Sequence, residues 1–111
     1  MSDPDGMFPQ PTRELAEHCN RLAPKPAEAF KAFSQSVFAE GAIPAKIKQL
    51  IAVAVAHVTQ CPYCIDAHVK RALKAGASDV EIAEAVFVAM ALRAGGSWAH
   101  SCIAMQALEK S

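Results

Sequence analysis

Two cysteines three apart and a histidine four further on stand in the segment CPYCIDAH, residues 61–68 of a chain of 111 residues. Pro62 suits a first helical position, so Cys61 reads as the cap of a helix and Cys64 as a member of its first turn. There, unpaired backbone N–H groups and the positive end of the helix dipole favour thiolate over thiol, and the thiolate is the attacking form. His68 lies at i+4 from Cys64, on the same helical face, where it can take the thiol proton or hold it through a water. Cys61 is close enough in this turn to close a disulfide with Cys64. A nucleophile, a resolving thiol and a base are the parts of reversible dithiol chemistry.

Two other chemistries compete for the same residues. The spacing His57-x3-Cys61-x2-Cys64-x3-His68 supplies four zinc-ligand types, but structural zinc sites usually draw their ligand pairs from separate elements, and the chain has no second C-x-x-C or H-x3-H. Buried, inert thiols are the blander alternative, since free cysteine is often packed inside. The capping proline and the histidine together favour dithiol chemistry over both. Cys19 and Cys102, on apolar faces without a neighbouring base, read as packing residues. Arg93 reads as a cation near the C-terminus of its own helix, and Asp66 as a carboxylate favoured by the dipole of the Cys-bearing helix. His18 reads as solvent-facing. His100 reads either as a pocket residue or as a structural histidine, and Tyr63 as a packing residue or a shaper of access to the thiols.

The elements that must position the pair read as helices throughout. The composition is 52% hydrophobic but only 6% aromatic, a balance weighted to Ala, Val, Ile and Leu that suits close-packed helices and predicts an all-α domain over residues 11–111. Residues 1–10, rich in Pro, Asp and Gly, read as a flexible segment. Six helices are expected. The first runs from a Thr12 cap to about Leu22 with Leu15, Cys19 and Leu22 on one face. The second starts at Pro26, turns Phe30, Phe33, Val37 and Phe38 inward and stops at Gly41. The third, from Pro44 to about Thr59, has Ile47, Leu50, Ile51, Ala54, Val55 and Val58 on more than one face, as a central helix should. The fourth follows Cys61 and stops at Gly76. Ser78 to Glu81 form a capping box for a fifth helix to about Arg93. Gly95 and Gly96 are expected to break the chain before a sixth helix from Ser97 to Leu108.

Composition also narrows the function classes. Eleven basic and eleven acidic residues cancel, which leaves no basic stripe for a nucleic acid and little self-repulsion against forming a homo-oligomer. The acidic, proline-rich start does not read as a signal peptide, and the longest unbroken apolar run, Ala85 to Leu92, is too short to cross a bilayer. A cytoplasmic protein is therefore expected. In that compartment four cysteines are not a disulfide framework, and a C-x-x-C pair points to redox or metal chemistry.

The segment from Ile43 to Glu84, centred on KQLIAVAVAHVTQCPYCIDAHVKRALKAGASDVEIAEA, closely resembles the alkylhydroperoxidase D-like branch of the carboxymuconolactone decarboxylase family. The resemblance implies an all-helical fold, assembly into a homotrimer or homohexamer, and thiol-dependent reduction of a hydroperoxide without flavin, haem or metal. It further implies that Cys64 attacks the peroxide, Cys61 resolves the sulfenic acid as a disulfide, His68 relays the proton, and a dithiol or thioredoxin-like donor reopens the bond. One position departs: the family pattern has a glutamate twelve residues before the first cysteine, and this chain has Gln49, which can orient a water but cannot accept a proton as a carboxylate can. His57, about 80° around the same helix from Gln49, is the candidate to replace it. Alternatives that use the same residues are a lactone-acid decarboxylase, with His68, His57 or Arg93 in acid–base roles, a disulfide reductase serving a separate peroxidase, and a metal-binding or redox-sensing module.

Overall fold

Local capping signals divide the chain into five helices in the computed structural model, which describes residues 8–10 and 12–111. They are α1 (Arg13–Leu22), α2 (Pro24–Phe38), α3 (Ala45–Thr59), α4 (Pro62–Lys74) and α5 (Asp79–Glu109), and no strand occurs among the described residues. Of the segment expected to be flexible, residues 1–7 lie outside the described residues, and 8–10 are non-helical and exposed.

The caps act as their side chains require. The Thr12 hydroxyl accepts from the Leu15 amide at 3.2 Å. Ser78 and Glu81 form a reciprocal capping box, with bonds of 3.1 and 2.9 Å. The α4 helix ends at Lys74, and Gly76 takes a left-handed φ of +99° that a side chain would strain. One expected boundary moves: α2 begins at Pro24 rather than Pro26, because both prolines fit its first turn, and Ala23 alone separates it from α1. It also ends at Phe38, where Ala39 turns extended before Gly41 is reached.

The expected break at Gly95–Gly96 does not occur, and five helices replace six. Glycine lowers helix propensity by about 1 kcal/mol relative to alanine but keeps its N–H, so it weakens a helix without removing a hydrogen bond as proline would. Here the strong helix formers on both sides carry α5 through 31 residues. By length and composition that helix could cross a membrane, although no single apolar run in it is long.

The core lies where α3, α4 and the start of α5 meet. Val53 and Ala72 are 0% exposed; Ala77 completes the centre, with Leu50, Val69, Ile82, Ala85 and Val86 packed around it. Short side chains at the crossing let the helices approach closely. Outside this centre the chain is open: its radius of gyration is 18.3 Å, against about 13 Å for a compact domain of this length. The face expected to turn inward on α1 does not, and on α2 only Phe38 does, half-buried against His68. Leu15, Leu22, Phe30, Phe33 and Val37 are exposed, as are Trp98, Met105 and Leu108 on the far half of α5. Cys19 and Cys102 are exposed as well, rather than packed. Helical periodicity marks these faces as apolar, but the single chain offers nothing to cover them.

Replacing Ala72 by leucine should overpack the buried centre shared by α3, α4 and the start of α5 and cost about 1–3 kcal/mol. A urea melt of the variant, with helix content followed by circular dichroism, checks the expectation.

Candidate functional site

The turn between α3 and α4 sets the site. Gln60 closes α3 in the left-handed region at φ 57°, ψ 50°, and the Cys61 amide donates back to the Ala56 carbonyl at 3.1 Å. Cys61 is thereby placed as the cap of α4, its sulfur accepting from the Cys64 amide at 3.2 Å. The two cysteines are joined as a disulfide, with Cα atoms 5.2 Å apart, inside the usual range for such a bond.

One helical turn along α4, His68 faces back onto α3. Its Nδ1 lies 2.8 Å from Gln49 Oε1. A carbonyl oxygen cannot donate, so Nδ1 carries the proton and Nε2 keeps its lone pair. Gln49 is 9% exposed, and this bond satisfies its buried amide oxygen. The Phe38 ring stacks on the imidazole at 5.2 Å between centroids. Burial, with the Arg71 charge as the lesser cause, holds the His68 pKa below its ordinary value, so the ring stays neutral further into the acid range. Because the unfolded chain then takes the proton first, stability linked to His68 is present above the ordinary histidine range and is lost as pH falls below it.

Cys64 and His68 border one cavity of about 480 Å³, walled by Val37, Phe38, Ile43, Ile51 and Val55, with Lys48 and Thr59 also on its lining. Four of the five residues singled out in the sequence come together here: Cys64 and His68 on the lining, Cys61 bonded to Cys64 and Gln49 bonded to His68. His57 does not. Its Nδ1 lies 2.7 Å from the Val53 carbonyl of its own helix, and its side chain borders a separate hollow with Gln60, Val86, Met90 and Arg93. The 80° between Gln49 and His57 is enough to turn one toward α4 and the other toward α5. The four residues spaced for zinc are split in the same way, and among the described residues no three His, Cys, Asp or Glu side chains gather as a metal site.

Arg93 answers the expected electrostatics on a different helix. It lies well inside α5, and its guanidinium donates at 2.7 Å to the Val58 carbonyl at the end of α3, where a cation opposes that helix's negative end. Asp66 pairs with Lys70 at 2.8 Å, which lowers its pKa. His18 is exposed, and His100 bonds the Gly96 carbonyl of its own helix at 2.8 Å, away from the cavity. Tyr63, between the cysteines, donates to the Pro9 carbonyl at 2.7 Å and meets Phe8 edge-on at 6.1 Å. Nothing in the local sequence foretells that contact across 54 positions.

The model of the carboxymuconolactone decarboxylase family matches residues 24–107. The chain belongs to that family. It is 46% identical over 106 residues to a Paracoccus denitrificans protein described as uncharacterized protein 4 in cox locus, covering 96% of this chain and 95% of the other. Its fold is similar to the crystal structure of a Methanobacterium thermoautotrophicum protein, with TM-score 0.71, 36% identity, and 75% and 93% of the two chains covered. A carboxymuconolactone decarboxylase family protein of Legionella pneumophila, solved in its apo form, gives TM-score 0.67 at 31% identity, covering 87% of this chain and 86% of the other.

Gln49→Glu should raise the His68 midpoint by at least about one unit, since a carboxylate against Nδ1–H stabilises the imidazolium. NMR titration of the His68 ring protons in both proteins measures it; an unmoved midpoint would show that the residue at position 49 does not set the ring's charge.

Proposed function

We propose that this family member is a thiol-dependent hydroperoxide reductase of the alkylhydroperoxidase D-like kind, working at the Cys61–Cys64 pair. The observation that carries the proposal is the shared cavity: the sulfur placed in the first turn of α4 and the imidazole one turn further on open onto the same apolar space. In the reduced protein, Nε2 of His68 accepts the Cys64 proton. The thiolate attacks the outer oxygen of the hydroperoxide and the O–O bond breaks. The alkoxide takes up a proton and leaves as an alcohol, with Cys64 as the sulfenic acid. Cys61 then attacks the Cys64 sulfur, the S–S bond forms and water leaves. An external dithiol, thioredoxin-like in kind, returns two electrons and becomes a disulfide itself.

Gln49 gives this cycle a particular form. It orients His68 without competing for its proton, so His68 acts as a single base rather than as one link of a carboxylate relay. The disulfide pair has no part in decarboxylating a lactone acid, and His57 and Arg93 lie outside the cavity that such chemistry would share with His68. Reduction by dithiols fits a cytoplasmic setting, where thiols are kept reduced. The bare apolar faces of α1, α2 and α5, with Leu22 76% and Trp98 79% exposed, support assembly into a homotrimer or homohexamer, which would bury them. Sedimentation of the wild-type protein should return a multiple of the 11.8 kDa chain, and a monomer would refute the assembly.

Cys64→Ser should abolish consumption of an organic hydroperoxide. Cys61→Ser should allow one attack per chain and leave a sulfenic acid that dimedone traps. Steady turnover by wild type with a dithiol, absent from both variants, supports the cycle; equal consumption by all three proteins defeats it.

A further inference from the structure

The cavity beside Cys64 is apolar along most of its wall, but it carries one cation. Lys48 lies on its lining, half-buried, on the first turn of α3. Its ammonium donates to the Val37 carbonyl at 2.8 Å and the Ala39 carbonyl at 2.7 Å. An ammonium has three N–H donors, so one remains after these two bonds. Both acceptors are neutral. Two nearby lysines differ in this respect: Lys46 pairs with Glu81 at 3.0 Å and Lys70 with Asp66 at 2.8 Å. Among the described residues, Lys48 has no carboxylate partner.

A charge drawn partly out of water beside apolar walls gains from a formal counter-ion more than an exposed one does. The register of the site shows where that counter-ion would sit. Gln49 meets His68 and Ala56 meets Cys61, so α3 and α4 run antiparallel, and Cys64 lies level with about residue 53 of α3. Lys48 is then displaced from the sulfur by roughly 8 Å along the helix at 1.5 Å per residue, and further by the length of its side chain. The lining continues past Cys64 to Thr59, about 16 Å from Lys48 on the same rise. Ile51 and Val55 lie along this path. An elongated apolar ligand fits it, with its anionic end at Lys48 and its middle or tail at the sulfur.

We infer that this cavity binds an aliphatic chain ending in a carboxylate, with Lys48 as the residue that selects the acid. The preferred hydroperoxides are then hydroperoxy carboxylic acids, with the peroxide several carbons from the acid group. The binding claim stands on the cavity and Lys48; only the choice of peroxide rests on the peroxidase proposal above.

The experiment measures binding apart from turnover. Calorimetric titration of the wild-type protein with decanoate and with decan-1-ol should show decanoate bound at least about tenfold more tightly, the scale of one charge-assisted hydrogen bond. Lys48→Met should bring decanoate down to the level of the alcohol, Lys48→Arg should keep most of the preference, and Ala52→Phe, which puts a ring at another position of the lining, should remove binding of both. If Lys48→Met fails to fold, the wild-type comparison together with Lys48→Arg and Ala52→Phe still decides the matter. Equal affinity for acid and alcohol in wild type, a preference that survives Lys48→Met, or binding that survives Ala52→Phe would overturn the inference. In turnover, the kcat/KM ratio of a hydroperoxy fatty acid over its methyl ester should fall about tenfold in Lys48→Met. A decanoate preference without turnover of either peroxide would leave the acid site standing and defeat the peroxidase proposal alone.

Discussion

The close packing of α3 and α4, with Val53 and Ala72 buried in the shared core, is the constraint on which everything else rests. Neither side chain has any exposed surface, and beside this core Gln49 and His68 hydrogen-bond across the gap between the two helices. The short connection through Gln60 and Cys61 fixes their register. With the register fixed, a glutamine near the start of one helix meets a histidine in the middle of the other, and Cys64, in the first turn of that second helix, borders the same apolar space as the histidine.

Around this rigid centre the rest of the chain is loosely held. The α2 helix is tied to α3 through Lys48, and the middle of α5 to the end of α3 through Arg93, each by donation to a backbone carbonyl. Both ties land near an end of α3 or α2, where carbonyls lack helical partners and the dipole favours a cation. Such bonds set direction more than they supply stability. The burial that would normally hold α1, α2 and the far half of α5 in place is missing from the single chain.

What could be read from the sequence was mostly local. Thr12, Cys61, Ser78 and Gly76 each mark a helix end through the conformation of one or two residues, and each acts at that end in the structure. The Cys64–His68 pair was legible for the same reason, since both residues sit on one helix. Features that need two helices to be placed were not. Whether His57 faces α4 or α5 depends on a rotation of 80°, which periodicity cannot assign without knowing which helix packs where. Arg93 is not at the C-terminus of its own helix, since α5 runs on past the glycines, and the carbonyl it meets belongs to the end of α3. The apolarity of Leu15, Phe30, Phe33 and Cys102 marks a face without saying whether the same chain covers it. Gly95 and Gly96 resemble a break in the sequence, but their remaining N–H groups let α5 continue.

Gln49 gives the buried link between α3 and α4 an electrical simplicity. A carboxylate in its place would share protons with the imidazole, and the two groups would lose and gain charge as one system with apparent constants belonging to the pair. An amide does not titrate. The bond from His68 Nδ1 to Gln49 Oε1 is therefore the same bond at every pH at which the helices stay together, and the imidazole is left as the sole ionising partner across that contact. Acid–base behaviour at this contact then takes the form of one simple step, with the protein's scaffold and its proton-handling group kept electrically separate.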